Sequence, residues 1–315
     1  MKHFILILFI SLFSSTILFA QKIKKEQSFV KSDNPLEINP MQEFEINSDI
    51  DSTLISKEAY QKIKIVEVLI EEEKNKEALD IMNSIHEKDF EKNELFLLKG
   101  ILELKLDDLA NSSNSFTRYL SATANDSIKS AIYYTLGIID MKRELKISAT
   151  HNFKKSLELD TTNYSTAAIL GTIHSNNKDL EKALFYYTKA VEINPGLNNI
   201  WNNLGFIYQQ KGNHQEAEKI FSKIIKDEPE SPLPYNNRGY SKLQLGLPKE
   251  AMKDVNQSIK LWPENSYAFR NRALIYITLN ELENACKDIE TALQLGFTEK
   301  YGDEVSLLKQ KHCKK

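Results

Sequence analysis

The sequence has little glycine and proline, and no strong excess of charge of either sign. Ten glycines and eight prolines among 315 residues are too few for an all-β protein with many tight turns. Lysine and arginine number 41 against 44 aspartates and glutamates, so the net charge of −3 gives no field that favours nucleic acid as a partner. A hydrophobic content of 41% is nevertheless ample for a packed core.

Motifs for catalysis and metal binding are also missing from the sequence. The six histidines are scattered, and no pair of them has the helical spacing of a metal site. The chain contains no phosphate-binding glycine loop, no nucleophile elbow and no dinucleotide fingerprint. We therefore expect a non-catalytic protein without a metal or a cofactor, because no set of acid, base and nucleophile converges.

Residues 1–20 have the composition of a secretory signal peptide. Lys2 precedes an almost unbroken apolar run, and the small residue Ala20 stands directly before Gln21. An uncleaved membrane anchor is the alternative, since this run is close to the shortest length that spans a bilayer. Residues 21–58 follow without a sustained period, which predicts a flexible segment that serves as a linker or as a tether.

From residue 59 onward, a pattern of small, aromatic and proline residues recurs about every 34 residues. The clearest copy contains Trp201, Leu204, Gly205, Tyr208, Ala217, Phe221 and Pro229. Seven copies are recognisable, at residues 59–92, 93–129, 130–163, 164–197, 198–231, 232–265 and 266–299. A period of this length is typical of an array in which each copy is one supersecondary unit.

This pattern resembles the tetratricopeptide repeat, and the resemblance covers residues 59–299. It implies two amphipathic helices in each copy, joined by a short turn, with small residues where the helices approach closely. One such hairpin cannot bury its apolar face alone, so neighbouring hairpins stack. The resemblance therefore predicts an all-α, right-handed superhelical solenoid, and residues 300–315 predict a capping helix and a tail.

Two positions sixteen residues apart change together between the copies. Arginine and aspartate occur together in two copies, as Arg238 with Asp254 and as Arg272 with Asp288. The matching residues of the copy before them are both apolar, Leu204 and Ile220. This pattern predicts an ion pair between the two helices of one repeat, in place of an apolar contact. An arginine that binds a ligand is the alternative.

The two cysteines of the chain are Cys286 and Cys313. Cys286 falls near the start of the second helix of the last repeat, and repeat geometry brings the end of the capping helix, at Cys313, beside it. In an exported chain this placement predicts a disulfide bond. Two free thiols, or a redox or catalytic cysteine, are the alternatives.

In the tetratricopeptide family the first helices line a concave groove, and the resemblance implies that a protein or an extended peptide binds there. Residues three and four apart share one face of a helix. This spacing selects Asn199, Asn202, Asn203, Phe206, Asn236, Asn237, Tyr240, Tyr267, Arg270 and Asn271. Asn203, Asn237 and Asn271 recur once in each repeat interval, which predicts a ladder of amides that holds a peptide backbone, with the aromatic residues as anchors. The alternative is that asparagine is simply common at this position of the family.

In the second and third copies, the corresponding inner face is more apolar. It contains Leu97, Ile101 and Leu104 in the second copy, and Tyr134, Ile138 and Met141 in the third. Such a face predicts that a helix, or the protein's own N-terminal segment, binds to it.

The leading functional hypothesis is an exported, non-catalytic interaction scaffold. The lysine-, asparagine- and isoleucine-rich composition and the final cysteine pair resemble exported repeat proteins of Gram-negative bacteria of the Bacteroidota type. That resemblance implies the periplasm, with the outer surface or the medium as alternatives. Contact with a membrane is expected only through an uncleaved signal segment. The alternative functions are a self-associating structural protein of the envelope and an enzyme with an unrecognised site.

Overall fold

The structure is a computed structural model that describes residues 56–85 and 94–313. The predicted signal peptide at residues 1–20, and residues 21–55 of the predicted flexible segment, lie outside the described residues. Every regular element in the described ranges is an α-helix, which confirms the all-α fold expected from the sequence. None of the described helices is both long and apolar enough to span a bilayer.

The described part of the chain contains sixteen helices, of which fourteen form seven consecutive hairpins. The hairpins are α1 (Lys57–Glu71) with α2 (Asn75–Asn83), α3 (Glu94–Lys105) with α4 (Leu109–Leu120), α5 (Asp126–Lys142) with α6 (Lys146–Leu159), α7 (Tyr164–Asn176) with α8 (Leu180–Ile193), α9 (Asn198–Gln210) with α10 (His214–Asp227), α11 (Pro232–Gln244) with α12 (Pro248–Leu261), and α13 (Ser266–Thr278) with α14 (Leu282–Gln294). The last two helices are α15 (Phe297–Tyr301) and α16 (Glu304–His312).

The chain divides into two compact units between residues 170 and 171. In the first unit, one apolar cluster surrounds Met82 and joins α1, α2 and α3, and another surrounds Phe116 and joins α3, α4 and α5. In the second unit, clusters surround Phe221 between α9 and α10, Val255 between α12 and α13, and Ile289 next to α15 and α16. Each cluster buries apolar side chains of at least two helices, which is how short amphipathic helices become stable.

The three-residue turn inside each hairpin contains one residue in the left-handed backbone conformation. Two hairpins use glycine, Gly212 and Gly246, with φ of 76° and 77°. The other five use residues with a side chain, at φ between 58° and 62°, namely Glu73, Asp107, Glu144, Lys178 and Asn280. This conformation costs a residue with a Cβ about 1–2 kcal/mol. The packing of the two helices, rather than the local sequence, therefore imposes the turn.

Proline ends the second helix of three hairpins in the second unit. Asn194, Glu228 and Trp262 each stand directly before a proline and have φ between −144° and −131°. A proline disfavours the helical conformation of the residue before it, because its ring clashes with that residue's backbone. The helix therefore stops, and the chain turns into the next hairpin.

In five hairpins, a glycine of the first helix faces a side chain of the second helix that leaves no room for a Cβ. A Cβ on Gly205 would lie 2.7 Å from the ring of Phe221, closer than real Cβ atoms come to a neighbour. A Cβ on Gly100, Gly137 or Gly171 would also meet an aromatic ring at under 3.0 Å, and a Cβ on Gly239 would lie 2.6 Å from Val255. The seventh hairpin instead has Ala273 and the aliphatic Ile289, both fully buried. The absence of a side chain on one helix thus makes room for the large side chain on the other.

We expect Gly205→Ala to lower the free energy of unfolding by about 1 kcal/mol, because overpacking against Phe221 outweighs the gain in helix propensity. Urea denaturation measures this change. The double variant with Phe221→Ile copies the residues of the seventh hairpin and tests the contact in a double-mutant cycle. A favourable coupling energy is expected, whereas strictly additive effects would show that this contact does not limit the approach of the helices.

Candidate functional site

The predicted binding residues of the second unit lie on α9, α11 and α13, the first helices of three consecutive hairpins. Side-chain hydrogen bonds connect these helices directly. Asn237 Nδ2 on α11 donates to Asn202 Oδ1 on α9 at 3.0 Å, and Asn271 Nδ2 on α13 donates to Asn236 Oδ1 on α11 at 2.8 Å. We call the surface formed by these three helices the first-helix face.

The structure separates the predicted groove residues by their exposure. Seven of them remain partly exposed, namely Tyr267 on α13 and, on α9 and α11, Asn199, Asn202, Asn203, Phe206, Asn237 and Tyr240. In contrast, Asn236 is 1% exposed, Asn271 is 0% exposed and Arg270 is 7% exposed. The expectation that these three residues line an open groove is wrong, because they are buried where neighbouring helices meet.

Four amides, two of them buried, form a chain of hydrogen bonds with one direction. Arg270 Nη1 donates to Asn271 Oδ1 at 2.6 Å, and a guanidinium group can only donate, so this contact fixes the orientation of the Asn271 amide. Each amide then donates to the next, in the order Asn271, Asn236, Asn237 and Asn202, at 2.8, 3.5 and 3.0 Å. Buried polar groups in a satisfied network rigidify the fold. Near α13, the side chains of the asparagine ladder therefore connect neighbouring helices to each other.

This chain of hydrogen bonds ends in an ion pair that the sequence analysis missed. Arg270 Nε lies 3.2 Å from Glu304 Oε1, and Nη2 donates to the same oxygen. Burial disfavours the charged guanidinium, yet Tyr267 and Glu304 hold the pKa of Arg270 above its ordinary value. Glu304 lies one repeat interval after Arg270, just as Arg270 lies one repeat interval after Asn236. Extending the repeat interval by one step beyond residue 299 would have found it.

The last two helices cover the α13 part of the first-helix face. Tyr267 stacks on Phe297 with ring centroids 5.7 Å apart, and it meets Tyr301 edge-on at 5.2 Å. Phe297 and Val305 are both fully buried. Tyr267 therefore packs against the end of the chain, whereas Phe206 and Tyr240 are the predicted aromatic residues that lie outside this cluster.

Neighbouring side chains contact and restrain Tyr240 and the backbone of Asn237 on α11. The guanidinium of Arg270 lies 5.3 Å from the centroid of the Tyr240 ring, and His214 contacts the same ring edge-on at 6.0 Å. Gln209 Nε2 donates to the backbone oxygen of Asn237 at 2.7 Å and to Ser241 Oγ at 2.8 Å. Sequence reasoning missed Gln209, because the matching positions of neighbouring copies hold unrelated residues.

Both predicted arginine–aspartate pairs meet within one hairpin. Arg238 contacts both carboxylate oxygens of Asp254, at 2.6 and 2.7 Å, and Arg272 contacts both oxygens of Asp288, at 2.7 and 2.8 Å. Each aspartate is 5% exposed. Such two-point contacts match the planar fork of arginine. Lys242 Nζ also lies 2.8 Å from Asp254, whereas no second cation among the described residues is within ion-pair distance of Asp288.

The sulfur atoms of Cys286 and Cys313 lie 2.04 Å apart, at bonding distance. Cys286 belongs to α14, and Cys313 directly follows α16, so a bond between them ties the last helix to the seventh hairpin. Lys309 and Glu290 form an ion pair between the same two helices. Formation of the disulfide in the cell stays a prediction.

The apolar face predicted for the second and third copies is partly buried in the structure. Ile101, Tyr134 and Ile138 are 3%, 1% and 4% exposed, and the Tyr134 ring meets Phe153 edge-on at 5.9 Å. These three side chains already pack inside the first unit, so they are not open to a helix or to the N-terminal segment. Leu97, Leu104 and Met141 remain partly exposed, and binding at these residues stays a prediction. Amphipathic spacing shows which side chains share a face, but it does not show what covers that face.

Burial shifts the pKa of several titratable side chains, and Glu103 and His214 are two of them. Burial raises the pKa of Glu103, which accepts a hydrogen bond from Ser115 at 2.6 Å in the first unit. Burial lowers the pKa of His214, the residue beside Tyr240. Within residues 56–85 and 94–313, no three histidine, cysteine, aspartate or glutamate side chains are grouped so that they could hold a metal ion.

Comparison with known families identifies the repeats. Two profiles described as tetratricopeptide repeat match the chain, one at residues 149–236 and the other at residues 269–295. This chain contains tetratricopeptide repeats. Proteins built from these repeats generally mediate protein–protein interactions, and the repeat fold is typically a non-catalytic interaction scaffold.

The curated relatives of this tetratricopeptide repeat chain match only part of it. The Photosystem I assembly protein Ycf3 of Rippkaea orientalis is 34% identical over 85 residues, which is 26% of this chain and 49% of that protein. Ycf3 of Cuscuta gronovii is 30% identical over 95 residues, which is 29% of this chain and 56% of that protein. The chain thus spans about half the length of the curated relatives that it matches.

Solved structures with a similar fold match more of the chain. The C-terminal part of a repeat protein from Cytophaga hutchinsonii has a TM-score of 0.60 and 17% identity, and covers 77% of this chain and 98% of its own. YrrB, described as a TPR protein with an unusual peptide-binding site, has a TM-score of 0.51 and 16% identity over 63% of this chain and 99% of its own. At these identities, the similarity concerns the fold.

The two buried ion pairs give a graded stability prediction. Arg272→Ala leaves the carboxylate of Asp288 buried without a cation and should lower the free energy of unfolding by roughly 3 kcal/mol. Arg238→Ala should lower it by less, because Lys242 remains beside Asp254. As a matched control, Arg272→Leu with Asp288→Ile copies the apolar pair of the fifth hairpin and should be milder than Arg272→Ala. Equal loss in all three variants, measured by thermal and urea denaturation, would contradict a role for the pairs as helix–helix contacts.

Proposed function

We propose that this protein is a non-catalytic interaction scaffold of the cell envelope that binds a protein or an extended peptide on α9 and α11. One observation carries the proposal. Phe206 on α9 and Tyr240 on α11 are both partly exposed on the first-helix face, among the partly exposed amides of Asn202, Asn203 and Asn237. Aromatic side chains supply anchor surface, and amides supply both donors and acceptors for a peptide backbone.

The packing behind these side chains supports the same proposal. Arg270 and His214 hold the ring of Tyr240, and Gln209 holds the backbone at Asn237. Side chains that are ordered before binding lose less conformational entropy when a partner arrives. The buried hydrogen bonds of the first-helix face therefore favour binding.

Capture of partners from a native envelope extract tests this proposal. The double variant Phe206→Ala with Tyr240→Ala should lower the amount of each specific partner, quantified by mass spectrometry, by at least about tenfold, since interface anchors contribute about 2 kcal/mol or more. Phe185→Ala is the matched control, because Phe185 is an aromatic residue 62% exposed on α8, a second helix. Undiminished capture by a double variant with a normal melting curve would refute binding at this surface.

We further propose that the scaffold is exported to the cell envelope. The apolar run of residues 1–20 followed by Gln21 is the sequence feature that favours it, together with the cysteine pair. The proposed mature protein begins at Gln21 and contains the bond between Cys286 and Cys313.

One intact-mass measurement on protein purified from the periplasmic fraction, without reducing agent, tests both features. The expected mass is that of the chain from Gln21 to Lys315 less two hydrogen atoms. Reduction should add the two hydrogens back and release two titratable thiols. A full-length mass would favour an uncleaved anchor, and two free thiols before reduction would eliminate the disulfide.

A self-associating structural protein is the second candidate, and one observation favours it. Ile65 and Val68, one turn apart on α1, are 50% and 51% exposed. Neighbouring apolar side chains on a helix surface can contact a second copy of the chain. Sedimentation that depends on concentration, and that Ile65→Gln with Val68→Gln abolishes, would favour this candidate over the scaffold.

A further inference from the structure

Arg270 is a positive charge that is almost completely enclosed by the protein. Its side chain is 8% exposed, and its guanidinium lies 5.3 Å from the ring centroids of both Tyr240 and Tyr267. Asn271 accepts a hydrogen bond from Nη1. These neighbours hold the side chain in one position, but none of them carries a negative charge at neutral pH. A buried cation requires a compensating anion, because burial of an unpaired charge is strongly destabilising.

Glu304 supplies that anion from the last helix of the chain. Its side chain is 46% exposed, so solvent reaches the carboxylate on one side while Arg270 binds it on the other. Glu304 is the first residue of α16, whereas Cys313, which anchors this helix to α14, follows its opposite end. The carboxylate thus belongs to the end of the helix that the cysteine pair does not hold.

The position of Arg270 also connects it to the proposed binding surface. Tyr240 is partly exposed on α11, and its ring lies against the guanidinium. A ligand that contacts this ring is therefore one side chain away from Arg270. Asn202, Asn236, Arg270 and Glu304 follow one another at single steps of the repeat interval. Glu304, which contacts Arg270, thus occupies the same repeat position as the three residues before it.

We infer that Arg270 forms a carboxylate-binding site that the chain itself fills with Glu304, and that a carboxylate of a bound protein or peptide takes the place of Glu304 at this site. The second part of this inference rests on the proposed function, and the first part does not. The last helix then acts as an internal competitor, so that a ligand gains access to Arg270 only by displacing the start of α16.

Chemical rescue of Glu304→Ala tests the site in the full chain. Arg270 then lacks its anion, and the melting temperature should fall. Sodium acetate should raise it again more than sodium chloride of equal ionic strength does, because acetate binds the vacated site and stabilises the folded state. Acetamide, which has the same shape but no charge, should have no such effect. The wild type, with its site filled, should show no difference between acetate and chloride.

NMR spectroscopy measures directly whether a carboxylate occupies the site at Arg270. In ¹⁵N-labelled Glu304→Ala, the Nε–Hε resonance of Arg270 should shift with added acetate and approach its wild-type position. The resonance of Arg238, which keeps Asp254, should not move. The matched control is Glu290→Ala, which breaks the ion pair of α16 with Lys309 but leaves Glu304 in place, and acetate should not rescue it. Glu304→Gln repeats the experiment with a side chain of the same size if the alanine variant is poorly folded.

The inference is overturned if acetate and chloride act alike on both Glu304 variants and the Arg270 resonance does not respond. Arg270 and Glu304 then form a structural ion pair only. These measurements use no partner, so their failure leaves capture through Phe206 and Tyr240 to be decided by its own experiment. Conversely, if the capture experiment refutes the proposed scaffold function, acetate should still rescue the Glu304 variants.

Discussion

The structure depends on one steric constraint, the contact between a residue without a side chain on one helix and a large side chain on the next. At Gly205 the backbone of α9 lies directly against Phe221 of α10, and four other hairpins repeat this contact. Three residues join the two helices of every described hairpin, one of them in the left-handed conformation. Fixed hairpins of this kind stack at a constant interval, which gives every repeat position a defined neighbour in the next hairpin.

The constant interval explains how the first-helix face changes from partly exposed to buried along the second unit. Asn202, Asn236, Arg270 and Glu304 occupy the same repeat position on consecutive helices. The first of them is partly exposed, the next two are buried, and the last completes an ion pair. Asn271 and Asn237 connect the first three through hydrogen bonds, whose direction follows from the arginine, because a guanidinium can only donate. The buried charge of Arg270 on α13 thus sets the direction of the amide hydrogen bonds as far as α9.

The repeat interval made much of this predictable from the sequence. The hairpins, the glycine contacts and the pairing of Arg238 with Asp254 all follow from residues that recur at fixed spacing. Burial of Asn271 did not follow, because the helices that cover α13 lie beyond the last recognised copy. The left-handed conformation of turn residues such as Lys178 could not be predicted either, because tertiary packing imposes a conformation that these residues disfavour on their own.

The central claim is that a partner binds where the first-helix face remains partly exposed, on α9 and α11, and not on the second helices. Site-specific photocrosslinking in the native envelope tests it most directly, with a photoreactive phenylalanine analogue in place of Phe206 or, in a parallel strain, of Phe185. The account predicts a specific protein crosslink from position 206 and none from position 185, although Phe185 is 62% exposed. Crosslinks from position 185 alone would contradict it.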